Sequence, residues 1–218
     1  MNINGNLSDS LKYPIKNWVK IIILGIILII PIVNFIGLGY YLRIIKSTLA
    51  GLDELPDFER VGELFIDGIK IVIVCIIYAI VPLIFYALSF AFPGSVFFII
   101  ATIFVIIISI FAYMGIANMA YHDCEIGAAL RYHEILDRIA AIGWGNYILW
   151  WIVLMLIITV AGFIIGIVGG ILLFYVLGFP VFLLGYSYLV IFQARSLALT
   201  FVSSREYVDK QPKTSPIE

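Results

Sequence analysis

The sequence predicts an all-α, polytopic membrane protein. Two observations carry that expectation. Of the 218 residues, 63% are hydrophobic and 12% are charged, against roughly 45–50% and ~25% in soluble globular chains. The charges are also missing from long stretches: 22 residues between Lys20 and Arg43, 52 between Lys70 and Asp123, and 56 between Arg138 and Arg195. A helix needs about 20 apolar residues to cross ~30 Å of hydrocarbon, so each of the two longer stretches holds a pair of spans and a turn. No alternating strand pattern runs through them, and in hydrocarbon the backbone must satisfy its own hydrogen bonds, which leaves helices. A soluble enzyme, a disordered chain and a disulfide scaffold are excluded by composition. Thirteen Lys+Arg against 14 Asp+Glu give no basic field for nucleic acid. The expected surroundings are a lipid bilayer, with a second copy or another membrane protein as partner.

The elements follow in chain order within one membrane domain, 1–218. Residues 7–18 place Leu7, Leu11, Ile15 and Trp18 on one face beside Lys12 and Lys16, an amphipathic anchor at the interface that Pro14 shortens or bends. Residues 18–50 hold the 22-residue run. Pro31 and Asn34 sit near its centre, with Gly37 and Gly39 following. Two readings stay open: a Pro-kinked span, or a re-entrant hairpin turning at 31–34, whose non-helical backbone would have to be covered by protein. In the hairpin all 13 Lys/Arg share one face; in the span the division is 10 to 3. The charge bias favours the hairpin, and in both readings the rich face is cytoplasmic, in a multi-pass plasma-membrane protein with a cytoplasmic C-terminus.

Residues 57–120 read as an amphipathic helix plus a hairpin. Phe58, Val61, Leu64, Phe65 and Ile69 form the apolar stripe of 57–70, Asp57 is placed to cap it, and six acids fall between Asp53 and Asp67. Spans are expected at 69–91 and 95–120, turning at Phe92-Pro93-Gly94-Ser95. Residues 124–202 repeat the plan. Ile135, Ile139 and Ile142 line 124–142, Glu134 and Arg138 form an i,i+4 pair, and spans at 146–174 and 180–202 turn at Leu177-Gly178-Phe179-Pro180. Gly162, Gly166, Gly169 and Gly170 make a small-residue stripe suited to close helix approach. Trp18, Tyr40, Tyr41, Trp144, Tyr147, Trp150 and Trp151 are expected in interfacial belts. Residues 203–218, with Pro212 and Pro216, read as a mobile tail.

Chemistry is sparse. Polar groups within apolar spans are costly and often functional; they are Asn34, Asn118, Gln193 and Arg195, the last expected to snorkel to the interface, and with Pro31 they form the set of candidate functional positions. His122-x-x-Glu125 could place two metal ligands on one helical face, but the second half of a metal motif is missing, and no metal, cofactor or catalytic constellation is predicted. Cys75 and Cys124 lie in different settings and are not expected to pair. Three functions compete. The first is a non-enzymatic structural or interaction module, a scaffold or oligomer. The second is a permease or channel component using the broken helix around Asn34. The third is a lipid-modifying enzyme using His122, Glu125 or His133.

The run Gly39-Tyr40-Tyr41-Leu42-Arg43, then Gly51-Leu52-Asp53-Glu54-Leu55-Pro56-Asp57-Phe58 and Gly62-Glu63-Leu64-Phe65-Ile66-Asp67-Gly68, resembles the membrane family catalogued as domain of unknown function 4013, found in archaea and bacteria. Tyr13-Pro14, Trp18 and Pro31-Ile32-Val33-Asn34 are similar to its first segment. The resemblance implies a multi-span membrane protein with no established activity, and it brings no catalytic residues.

Overall fold

The computed structural model describes residues 2–93, 96–173 and 177–210, with side chains to 205. It is all helical, with no strand among the described residues. The described α-helices run in the order α1 (Ile3–Lys12), α2 (Trp18–Ile29), α3 (Asn34–Leu49), α4 (Val61–Ala91), α5 (Phe97–Tyr121), α6 (Tyr132–Ile142), α7 (Trp144–Leu172) and α8 (Gly178–Lys210). Short 3-10 turns lie at Pro14–Lys16 and Ile126–Leu130. Helices α4, α5, α7 and α8 are long and apolar enough to cross a membrane.

The N-terminal region departs from the single 7–18 helix. Asn2 caps α1 by accepting from the Gly5 amide at 3.0 Å. The helix stops before Pro14, which has no N–H to continue the ladder. Its buried face is polar, Asn6 and Ser10, while Leu11, Ile15 and Trp18 are exposed. Leu11, Ile15 and Trp18 of the apolar stripe therefore point away from the protein, while Leu7 packs against the core. Asn17 caps α2 through the Lys20 amide at 3.2 Å, and α2 ends at Ile29 with Ile30 extended. Ile32 follows in the left-handed region at φ 71°, a strained place for a β-branched residue. Pro31 and Ile32 are exposed, so this turn is not covered by protein as its non-helical backbone led us to expect.

The chain reverses there. Lys20, at the start of α2, pairs with Asp57 beyond the end of α3 at 2.7 Å, and Tyr13 donates to the Glu54 carbonyl at 2.8 Å. Helix α3 is then gripped by α4. A Cβ at Gly39 would overlap the Leu64 backbone carbonyl, and one at Gly68 would overlap the Phe35 carbonyl. The two backbones thus touch at both ends of a short crossing, where only glycine leaves room. Phe35 and Phe65 close it edge to face at 5.6 Å.

Residues 57–70 are not a separate helix. From Val61 onward they form the first turns of the continuous α4. Asp57 does not cap it; Arg60 holds that position at φ 50° without a side-chain bond. The buried face is Leu64, Gly68 and Ile71, because the α3 backbone, not a bilayer surface, decides which side packs. The second amphipathic segment, 124–142, is divided: a 3-10 turn at Ile126–Leu130 precedes α6, in which Ile135, Ile139 and Ile142 are buried and Glu134–Arg138 pair at 3.5 Å. Gly143, at φ 89°, separates α6 from α7, a conformation glycine adopts without steric cost.

Helices α4 and α5 pair through Phe85–Phe104, stacked at 5.1 Å. Helices α7 and α8 pair where Gly169 meets the Phe182 ring; Gly162, Gly166 and Gly170 face open space, so most of that stripe packs against nothing among the described residues. Gly178, Phe179 and Pro180 lie in the first turn of α8 rather than in the preceding turn. Pro is tolerated there because the first amides of a helix have no partner. Of the other expected turn, Gly94 and Ser95 lie outside the described residues. Helix α8 continues to Lys210, seven residues past the start of the expected tail, whose remainder from 211 lies outside the described residues.

Hydrogen bonds and aromatic pairs joining the two long hairpins sit near their charged end. Tyr147 donates to the Ile110 carbonyl at 2.6 Å, Gln193 bonds Tyr113, and Phe111–Trp144 and Tyr121–Phe201 pack at 6.3 and 5.6 Å. Several expected belt aromatics are core residues instead: Tyr40, Tyr41, Tyr147 and Trp150 are buried. Three have their polar tips satisfied internally: Tyr40 on the Pro56 carbonyl at 2.8 Å, Tyr147 as above, and Trp150 on Ser196 at 2.9 Å. Trp18 and Trp144 remain exposed.

Candidate functional site: a buried arginine clamp

Arg195 does not snorkel. Its side chain is 7% exposed and every guanidinium nitrogen has a partner. Nε donates to Asp9 at 2.8 Å, Nη1 to Thr48 at 3.2 Å and to the Leu52 carbonyl at 3.1 Å, and Nη2 to Asp53 at 2.8 Å. The Tyr13 ring lies under it at 4.4 Å. One side chain on α8 thus holds α1, the turn after it, the end of α3 and the loop that follows. The fixed fork of guanidinium donors suits such divided bonding, which a lysine ammonium cannot copy.

The surrounding layer extends the clamp. Asn6 donates to the Ser196 carbonyl at 3.1 Å and to Thr200 at 3.0 Å, and accepts from Ser196 at 2.7 Å. Lys16 reaches Asp53 at 2.5 Å. Arg43 binds the Asp57 and Glu59 carbonyls, Tyr40 stacks on Phe58 at 4.0 Å, and Leu55 is buried. The 50–60 loop is therefore pinned by side chains from α2, α3 and α8. Of the six acids from Asp53 to Asp67, four carboxylates are paired: Asp53 and Asp57 as described, Glu63 by Arg60 at 3.2 Å and Asp67 by Lys70 at 2.9 Å. The hydrogen bond from Lys16, with the Arg195 charge adding to it, holds the Asp53 carboxyl below the ordinary carboxylate range. Burial pushes the Tyr13 hydroxyl up to about 12 against the pull of Arg195, so Tyr13 stays neutral and its ring face remains a cation platform.

The other sequence candidates do not converge on this point. Pro31 is exposed and Asn34 half-buried at the α2–α3 turn. Gln193, two residues from Arg195, turns to Tyr113. Asn118 is fully buried; its amide nitrogen donates to the Ala128 carbonyl at 3.0 Å, while its carbonyl oxygen has no partner among the described residues. His122 and Glu125 do not share a site. His122 lies 2.9 Å from Glu134, and Glu125 pairs with Arg131 at 2.8 Å. Burial alone would raise the Glu134 carboxyl, but the hydrogen bond with His122 and the Arg138 charge outweigh it and hold the group below its ordinary value. Among the described residues no group of three or more His, Cys, Asp or Glu is placed to hold a metal, and both cysteines are free.

Sequence reasoning missed Asp9, Tyr13, Thr48 and Asp53 as partners of Arg195. They lie 142 to 186 residues away for the hydrogen-bonded contacts, and no local pattern announces them.

A family model described as a protein of unknown function, DUF4013, matches residues 23–174. An uncharacterised protein of Methanocaldococcus jannaschii is 32% identical over 149 residues, covering 63% of this chain and 51% of that protein. The match thus covers about half the length of that relative. No solved structure matches the chain.

Proposed function

The chain belongs to the DUF4013 family of proteins of unknown function, and from that premise we propose that it is a polytopic membrane module with a structural or interaction role rather than a catalyst or permease. The proposed layout has two transmembrane hairpins, α4–α5 and α7–α8, and a re-entrant α2–α3 hairpin, with the charged end cytoplasmic. The observation that supports the role is the use made of Arg195. A buried charge in a membrane protein is expensive and usually serves a substrate or a conformational step. Here each of its three guanidinium nitrogens serves the chain's own connections. The layout is supported by the reversal of the chain: Lys20 at the start of α2 pairs with Asp57 beyond the end of α3 at 2.7 Å.

Cysteine labelling tests the layout. In a background with Cys75 and Cys124 replaced by Ala, Asn4→Cys and Glu54→Cys are expected to react with an impermeant maleimide only after cell lysis, and Leu177→Cys in intact cells. All three positions are exposed. Asn4→Cys reacting alongside Leu177→Cys would make 21–42 a span and overturn the layout.

The role is tested by flux. Liposomes carrying the protein are expected to pass ions and small solutes no faster than empty ones. A flux that Asn34→Leu abolishes would replace this reading with the permease.

A further inference from the structure

We propose that Arg138 and Arg205 form a site for a phosphate group, supplied by the headgroup of an anionic membrane lipid. The two guanidiniums share one platform. The Cζ atom of Arg138 lies 5.1 Å from the centroid of the Tyr121 ring, and that of Arg205 lies 5.0 Å from it. Arg138 also lies over Phe201, 4.6 Å from its centroid, and the Tyr121 and Phe201 rings meet at 5.6 Å. Residues of α5, α6 and α8 thus gather two like charges on one aromatic pair. Stacking on a ring fixes a guanidinium and leaves its N–H edge open.

The donors of this pair are used differently from those of Arg195, whose three nitrogens are all bonded within the chain. Among the described residues, Arg138 approaches one acceptor, the Glu134 carboxylate at 3.5 Å, and Arg205 approaches one, the Leu49 carbonyl at 3.5 Å. Both distances exceed the usual range of about 2.7–3.2 Å. Glu134 is also closer to His122, at 2.9 Å, so it answers neither arginine fully. Most N–H donors of the pair are left over, and both side chains keep some surface: Arg138 is 14% exposed and Arg205 half-buried. Phosphate oxygens fit such a pair, because a guanidinium fork binds them two at a time.

Position selects the source of the phosphate. Tyr121 is the last residue of α5, a helix long and apolar enough to cross a membrane. Arg138 is the last charge before the 56-residue uncharged run, which holds the whole of α7, another such helix. The pair therefore stands where apolar helices give way to charged segments, the depth of lipid headgroups, where basic pockets between helices take anionic lipids. A zwitterionic headgroup brings a cation of its own toward the two arginines, which repel it. This rests on the membrane reading proposed above and is independent of the course of α2 and α3.

The test uses the full-length protein, fluorescently labelled in a nonionic detergent and titrated with dioctanoyl phosphatidylglycerol, dioctanoyl phosphatidylcholine or inorganic phosphate, with binding read by thermophoresis. Phosphatidylglycerol is expected to bind at least about fivefold more tightly than phosphatidylcholine. Arg205→Gln is expected to weaken it about fivefold, and Arg138→Gln with Arg205→Gln about 25-fold. Arg60→Gln removes an exposed charge paired with Glu63 and is expected to leave the affinity within about twofold. Arg205 makes one long bond to the chain, so its variant is expected to melt with the wild type and to decide the matter even if the double variant does not fold. Equal affinity for the two lipids, or equal losses in Arg60→Gln and Arg205→Gln, overturns the site. Inorganic phosphate binding as tightly as phosphatidylglycerol overturns the lipid as its source. A labelling result that overturns the layout leaves this site standing, and failure of the site leaves the layout standing.

Discussion

Gly39→Ala and Gly68→Ala are each expected to cost about 3 kcal/mol or more, or to prevent folding, when unfolding is followed in mixed micelles. A single methyl is the smallest change available, yet at either position it would overlap a backbone carbonyl of the facing helix. Overpacking in a core costs about 1–3 kcal/mol when side chains can yield. Here the obstacle is main chain, so α3 must back away along its length and take the Phe35–Phe65 contact with it. The control lies in the same segment. A methyl on Gly62 would meet nothing within 4 Å, and the residue sits in the first turns of α4, so Gly62→Ala is expected to leave stability unchanged or raise it by up to about 1 kcal/mol. Equal effects at all three glycines would show that helix propensity, not the crossing, explains them. The double substitution at 39 and 68 is expected to cost less than the sum of the two, because either one already opens the shared contact.

Arg195→Met is expected to lower stability by about 2–3 kcal/mol. Removing one member of a buried ionic cluster costs about 3–5 kcal/mol. The lower figure applies because the Asp9 and Asp53 side chains are 43% and 64% exposed and can rehydrate. The loss should also free the N-terminal segment, so trypsin should cut at Lys12 or Lys16 faster in the variant under native conditions. Arg195→Lys is expected to rescue only part of the stability, since an ammonium cannot reach Asp9, Thr48 and Asp53 at once. Lys16→Ala, which removes a half-exposed pair, should cost no more than about 0.5–1 kcal/mol. If Arg195→Met matched Lys16→Ala, the clamp would have no energetic standing.

The class of the fold was legible because it follows from composition and from where charge is missing. A 52-residue uncharged run admits little besides two helices. The family motif at 39–68 was legible as a string but not as a mechanism. Gly39 and Gly68 become meaningful only when α3 and α4 are laid across each other, and Tyr40, Arg43, Leu55 and Pro56 only when the loop between them is seen to be stitched down. The boundary at 57–70 was misplaced because an amphipathic pattern looks alike on a surface helix and on the exposed first turns of a long one. The clamp was invisible for a different reason. Arg195 at the end of an apolar run has the sequence appearance of any snorkelling arginine, and its burial depends on a tyrosine and two aspartates whose approach is set by the whole fold. Interfacial aromatics failed likewise: Trp150 and Tyr147 stand where a belt would be, and tertiary packing gave their polar tips internal partners.

The distance along the chain between Asp53 and Arg195, 142 residues, has a consequence for biogenesis. At ~5–20 residues per second, about 7 to 28 seconds separate the emergence of Asp53 from that of the arginine. During that interval the N-terminal hairpin has its aspartates but no cation from α8 to close on, and its α3–α4 crossing must hold the early half together alone. Helix α8 is therefore the element that fastens α1, and the N-terminal connections close only after α8 has been made.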